Sequence, residues 1–336
     1  MIQSWLEKNY GIKVEGNYSI GNHYACKRGD QLYFLINSLH VDHEELAELQ
    51  TITLHLLSKG DRSVPLFFPT VNGEILSEWE NEPACVLVSK ERRSKAPLII
   101  GRSLGKFHWR GRSLSYPIKK LSRLGQWKGI WEKRLDQMEA VWNGKIYEPP
   151  ESEFEKMFFD SFPYYRGLAE NAIQYLVDTE LDETPGEIDH GTVCHERFTS
   201  RTWSDEVLFR NPFEWILDHG SRDLAEWTRH RYFQNTQTYE PDVRQFFSDY
   251  KTTTTLTPFS WRLLYARLLF PLHYFECVEE YYMNSSEQNR NTLEDKIQKI
   301  VNQSIEYEKF LGRFFQLLEV PVRTNRIPEI DWIKKL

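Results

Sequence analysis

At 336 residues, with 40 % apolar and 14 % aromatic side chains, the chain can bury a substantial core as one large domain or two modest ones, and it is too rich in Trp, Tyr and Phe to be disordered. A formal net charge of −7 lacks the basic excess that neutralises phosphates, so nucleic acid is not expected as a partner. Cys26, Cys85, Cys194 and Cys277 stand far apart with no C-x-x-C pair, which points to free thiols in a reducing compartment.

The N-terminal residues contain no apolar run of signal-peptide type. Residues 24–38 carry two β-rich runs around Gly29-Asp30 and predict a hairpin. Residues 41–61 place Leu46, Leu49, Ile52, Leu56 and Leu57 at helical spacing, with acidic residues in the first turn and Gly60 as a stop. Residues 64–90 return to strands, with Asn72-Gly73 read as a hairpin turn and Ala84–Val88 as a buried run. The first ~90 residues thus predict a small sheet carrying one helix.

Beyond residue 94 the periodicity becomes helical, over 98–113, 126–142 and 152–177. An irregular or β stretch runs from Ile188 to Phe213, and helices resume over 221–233, 243–250, 258–283 and 291–319. The run 284–291 reads as a loop, and Thr252–Thr255 before Pro258 as another. The most apolar stretch, 261–275, contains Arg262, Arg267 and Pro271 and is too short and charged for a membrane span. The fold expected is α+β: a small β-rich lobe over residues 1–93, a large α-helical lobe over 94–336, and a joint near Lys90–Pro97, where KERRSK (90–95) reads as a solvated linker.

Five segments in order carry a family resemblance: LGKFH within 101–113, WKGIWEKRL within 125–139, VCHERFTSRTW (193–203), DHGSRDLAEW (218–227) and the aromatic tail 246–282. Together they resemble the choline-kinase and aminoglycoside-phosphotransferase group of protein-kinase-like proteins, and more narrowly the endospore-coat proteins of the CotS and YutH type. The resemblance implies the two-lobed kinase-like fold. Phosphoryl transfer in such a fold needs an Asp as base, an Asn and a second Asp on metal, and a Lys on the third strand for the nucleotide phosphates.

Laid on that pattern, Arg197 takes the base position, Thr202 the Asn, Asn211 the second Asp on the next strand, and Ile36 or Asn37 the Lys. An Arg accepts no proton near neutral pH, and Thr and Asn lack the charge that Mg²⁺ requires. Glu48 matches the Lys's usual acidic partner and is left with nothing to pair with, and Gly21 and Gly29 do not make a Gly-rich phosphate loop. No catalytic residue and no cofactor is therefore expected, and nucleotide is not expected to bind. His190, Cys194, His195 and His219 have no common zinc spacing, so no metal is expected. His195 is expected to hydrogen-bond backbone around its loop, and Asp218 and Asp223 to cap helices or tie the loop down. The implied function is a non-catalytic structural or assembly component, made in the mother-cell cytoplasm and assembled into the spore coat on other coat proteins. The alternative is a small-molecule kinase using ATP and Mg²⁺ with rearranged ligands such as Asp205, Glu206 or Asp218.

Overall fold

The structure, a computed structural model, describes residues 2–20, 23–92, 97–203, 207–283 and 287–334. In chain order its elements are α1 (Ile2–Tyr10), β1 (Gly16–Ile20), β2 (His23–Arg28), β3 (Gln31–Asn37), α2 (His43–Ser58), β4 (Leu66–Phe68), β5 (Leu76–Trp79) and β6 (Glu82–Lys90). There follow α3 (Ile100–Arg112), α4 (Trp127–Lys145), α5 (Glu153–Asp182), β7 (Thr192–His195), β8 (Trp215–Asp218), α6 (Ser221–Gln234), α7 (Tyr239–Lys251), α8 (Pro258–Leu269), α9 (Leu272–Met283), α10 (Glu287–Asn302), α11 (Ser304–Leu317) and α12 (Asp331–Lys334). The chain packs into two compact units that do not follow chain order: residues 1–123 with 190–255, and residues 124–189 with 256–336. Residues 93–96, where the sequence sets the joint between lobes, lie outside the described residues.

In the first unit the antiparallel order is β1-β2-β3-β6, with β4 and β5 end to end along the far edge of β6. Strand alternation gives this sheet two apolar faces. Cys26, Tyr33 and Val86 pack on Leu6 and Tyr10 of α1, while Ala25, Leu32, Phe34, Ile36, Cys85 and Leu87 line the other face. Helix α1 adds a second helix to the one expected here. The hairpin is also displaced. Gly73 turns the chain with φ +84°, but β4 and β5 do not pair; the tight turn joins β5 to β6, with Glu80 and Asn81 at φ 53° and 66°. Positive φ at both positions is the type I′ signature, and Asn81 supplied only half of its usual sequence signal. Helix α2 starts on a capping box in which Asp42 accepts from the Glu45 amide, an arrangement of about 1 kcal/mol.

Helix α3 meets its neighbours through glycine. A Cβ on Gly101 would collide with the Phe246 carbonyl oxygen of α7, and one on Gly105 with Thr253 Oγ1. Helix α3 therefore lies against α7 closer than any side chain allows.

The second unit is helical. Its longest helix, α5, spans 30 residues with Pro163 inside it. Proline removes the amide that would bond the carbonyl four residues back. Trp142 Nε1 of α4 donates to that carbonyl, Phe159 O, at 3.2 Å. The reading of 258–283 as one helix is corrected: Pro271 has no amide to offer, Phe270 turns extended at φ −63°, ψ 119°, and the chain restarts as α9. Likewise 291–319 divides into α10 and α11 at Gln303. Helix α10 already begins at Glu287, so the expected loop 284–291 is helical from residue 287 on, and residues 284–286 lie outside the described ones. Among the described residues no helix is long and apolar enough to cross a membrane. The four cysteines are buried and free.

Candidate functional site

The loop between β7 and β8 is the place where a kinase-like chain would carry its chemistry, and it is anchored by a buried hydrogen-bond network. The two strands pair antiparallel from Thr192 against Asp218 to His195 against Trp215. Asp223, in the first turn of α6, is fully buried. Its Oδ1 accepts from the His195 backbone amide at 2.9 Å, and its Oδ2 faces His195 Nδ1 at 2.8 Å and His108 Nε2 at 3.1 Å. Burial pushes the Asp223 carboxyl up, but the charge and hydrogen bonds of His195 and His108 outweigh it and hold the group well below the usual carboxylate range. Burial holds the His108 imidazole below its ordinary value, against the opposing pull of Asp223. A neutral His108 that gives Nε2–H to Asp223 has Nδ1 as acceptor, and Tyr250 Oη–H donates to it at 2.9 Å.

His195 thus bonds a carboxylate rather than the loop backbone that the sequence suggested. Asp223 ties the loop down as expected. His108, Cys194 and Asp223 bring ligand-type atoms together in the core. Each is committed within the protein, the Cys194 thiol lying 3.5 Å from the carbonyls of Asp218 and His219 and pushed well up by burial. His219 gives its amide to Asp218 Oδ1 and accepts from the Ser221 amide on Nδ1.

Of the positions read from the sequence, Arg197 is half exposed and its Nη1 lies 3.2 Å from Glu226 Oε2 on α6. Thr202 Oγ1 accepts from the Thr199 amide and closes the loop on itself. Asn211 is not on the next strand. It caps the short 3₁₀ turn at residues 212–214, its Oδ1 accepting from the Phe213 amide, because Pro212 starts that turn before β8 begins. The carboxylate carried by the strand is Asp218. It is fully buried, and Arg222 Nη1 donates to its Oδ2 at 2.9 Å. The same guanidinium donates from Nε to the His195 carbonyl and from Nη2 to the Glu196 carbonyl, so one side chain holds both the strand carboxylate and the loop. Asp205 and Glu206 of the alternative ligand set lie outside the described residues.

On β3, Ile36 is buried in the apolar cluster, while Asn37 Oδ1 accepts from the Leu39 amide and its Nδ2 donates to Glu82. Glu48 has partners after all. Oε1 accepts from the amides of Lys119 and Lys120, and Oε2 from that of Leu121. The residue-121 carbonyl in turn accepts from the Leu217 amide, so α2 is tied through this segment to β8. The role of Arg222 was missed, although its position four residues after Asp218 is the spacing of a helical ion pair. Nothing in the sequence marked Asp61 and Arg210, 149 residues apart, as partners at 2.6 Å.

A small antiparallel sheet, a helical region, and a strand–loop–strand site anchored on a buried Asp define a kinase-like fold. The chain superimposes on an aminoglycoside phosphotransferase from Alicyclobacillus acidocaldarius with a TM-score of 0.68, at 13 % identity over 91 % of this chain and 93 % of that one. It superimposes on a microcompartment-associated aminopropanol kinase with a TM-score of 0.60, at 11 % identity over 94 % and 98 %. These likenesses show the fold. A family model described as "Spore coat putative kinase YutH" matches residues 3–314. The chain is also similar to the endospore coat-associated protein YutH of Bacillus subtilis (strain 168), 41 % identical over 336 residues, covering 100 % of this chain and 99 % of that protein. The chain belongs to the YutH family of spore-coat proteins.

Proposed function

We propose that this chain is a non-catalytic, kinase-like component of the endospore coat, which assembles on other coat proteins and turns over no nucleotide. The observation that carries the reading is the state of Asp218. A carboxylate that holds Mg²⁺ must offer its oxygens to the ion, whereas both Asp218 oxygens are committed, to Arg222 and to the His219 amide. Arg222 leaves that carboxylate only by also releasing the carbonyls of His195 and Glu196. Arg197 at the base position accepts no proton, and Ile36 gives the nucleotide phosphates no cation. The kinship with an endospore coat-associated protein supports the coat as the setting; manufacture in the mother-cell cytoplasm before assembly is part of the proposal.

The test is thermal unfolding of the full chain with millimolar ATP, with and without Mg²⁺. A ligand at 100 times its dissociation constant adds about 2.7 kcal/mol, which shifts a melting curve visibly. No Mg²⁺-dependent rise is expected; a clear one overturns the reading in favour of a small-molecule kinase.

A further inference from the structure

The face of the small sheet that carries Ile36 is the face on which a β3 lysine would reach nucleotide phosphates, and here the chain itself covers it. Residues 207–213, just before β8, run along that face. Val207 and Phe209 are buried in one cluster with Ala25, Leu32, Phe34 and Ile36, and Phe213 packs against its edge. The Phe209 ring stacks on Phe34 with centroids 3.8 Å apart and planes 18° from parallel, the geometry in which an aromatic ligand would lie on the sheet. His23 meets the same ring edge-on at 5.5 Å.

The segment is held from both sides. Its main chain is hydrogen-bonded, from the Leu208 amide to the Arg92 carbonyl and from the Arg210 amide to the Ser63 carbonyl, each at 3.0 Å. Arg210 points the other way into the core, where its guanidinium lies 4.1 Å from the Trp203 ring centroid and 5.0 Å from that of Phe107. It also pairs with the buried Asp61, which Arg110 shares at 2.8 Å. A buried ion pair of this kind resists opening, because displacing Arg210 leaves Asp61 short of a partner in a place closed to water.

We propose that residues 207–213 are a built-in occupant of the sheet face, with the Phe209 ring in the position of an aromatic ligand and the Arg210–Asp61 pair as its lock. The inference rests on the kinase-like, non-catalytic reading above. It adds a cause that this reading lacks: nucleotide is excluded by occupancy as well as by missing charges. A cleft of about 620 Å³ remains beside the segment, lined by Arg197, Thr202, Asn211 and Glu214 among others, so the way to the face is open once the ring is removed.

The experiment compares the full-length protein with Phe209→Ala and Phe209→Leu, using adenine and indole as probes in thermal unfolding and titration calorimetry. Phe209→Ala is expected to melt several degrees lower and to regain at least 2 °C with millimolar adenine or indole, as an apolar cavity recruits a flat ring; this order of effect follows from cavity binding. Wild type and Phe209→Leu, whose face stays filled, are expected to show no rise. A folded Phe209→Ala protein that neither probe raises, or a wild type raised equally, overturns the proposal. Hydrogen exchange of wild type decides the matter if Phe209→Ala fails to fold. The Leu208 and Arg210 amides are expected to exchange as slowly as β3 and β6, and exchange at loop rates overturns the lock. Mg²⁺·ATP binding by wild type sinks the non-catalytic reading, whereas a silent wild type with an unrescued Phe209→Ala sinks the occupancy alone.

Discussion

Trp142 repairs what Pro163 breaks: its indole Nε1–H donates, across from α4, to the Phe159 carbonyl that the proline leaves without its helical partner. The two residues should therefore be coupled. Trp142→Phe is expected to cost about 1–3 kcal/mol, mostly from a buried carbonyl left unsatisfied. In a Pro163→Ala background, where the alanine amide serves Phe159, the same change should cost less by about 1 kcal/mol. Equal costs in a four-variant urea series would dissolve the coupling.

The loop supplies a second prediction. Arg197→Asp puts a carboxylate where a guanidinium now faces Glu226, and Arg229 Nη1, 3.3 Å away, remains to neutralise that glutamate. Because Arg197 is half exposed, the loss should be about 1 kcal/mol, read from urea midpoints. ATP consumption over amino alcohols and sugars should stay at background, since Asp218 remains closed by Arg222. Turnover above background would show that one position alone had silenced the site.

Acid should unfold the protein in two stages. His108 is held below its ordinary value in the folded state, so the unfolded chain binds more protons over the interval beneath about pH 6.5, and stability falls as pH drops through it. The Asp223 carboxyl is depressed, so its contribution is complete above the unfolded value near pH 3.9 and is lost as pH falls below it. Melting temperatures from pH 8 to 3 should show both stages. His108→Gln should flatten the upper one only in part, because burial also lowers His23 and His230. An unchanged upper slope would remove His108 from the account.

Two glycine substitutions should go in opposite directions. Gly101→Ala drives a methyl into the Phe246 carbonyl and must push α3 off α7, at a cost of about 1–3 kcal/mol. Gly129→Ala, on α4 with open space where the Cβ goes, should gain about 0.5–1 kcal/mol from helix propensity. Denaturant midpoints that fail to separate the pair would deny the close approach of α3 and α7.

Periodicity and local chemistry made much of this fold legible. The hairpin over 24–38, the capped helix α2 and the buried run in β6 follow from alternation, an acidic first turn and apolar residues that need no long-range partner to be recognised. The errors have a common origin in single residues that overrule a period. Pro271 and Gln303 divide apparently continuous helices, and Glu80-Asn81 takes the turn that Asn72-Gly73 advertised. At the site, Arg197, Thr202 and Asn211 were assigned by their spacing from the strand in the family pattern. Asn211 falls ahead of the short strand β8, which the sequence reading did not anticipate. Phe209 on Phe34 and Arg210 on Asp61 join residues more than a hundred apart, and a single sequence records no such meeting.

The three amides on Glu48 change what kind of object α2 is. In regulated kinases the helix after the third strand swings, and its glutamate is the handle by which the lysine on that strand pulls it into place. Here the handle is bonded to the main chain of residues 119–121, which is itself stitched to β8. Rotation of α2 would strand three peptide donors at once, which opposes the swing through which regulated kinases are switched. Exchange measurements should find the amides of residues 119–121 opening together with α2. Any motion that swings α2 would first have to release those three amides.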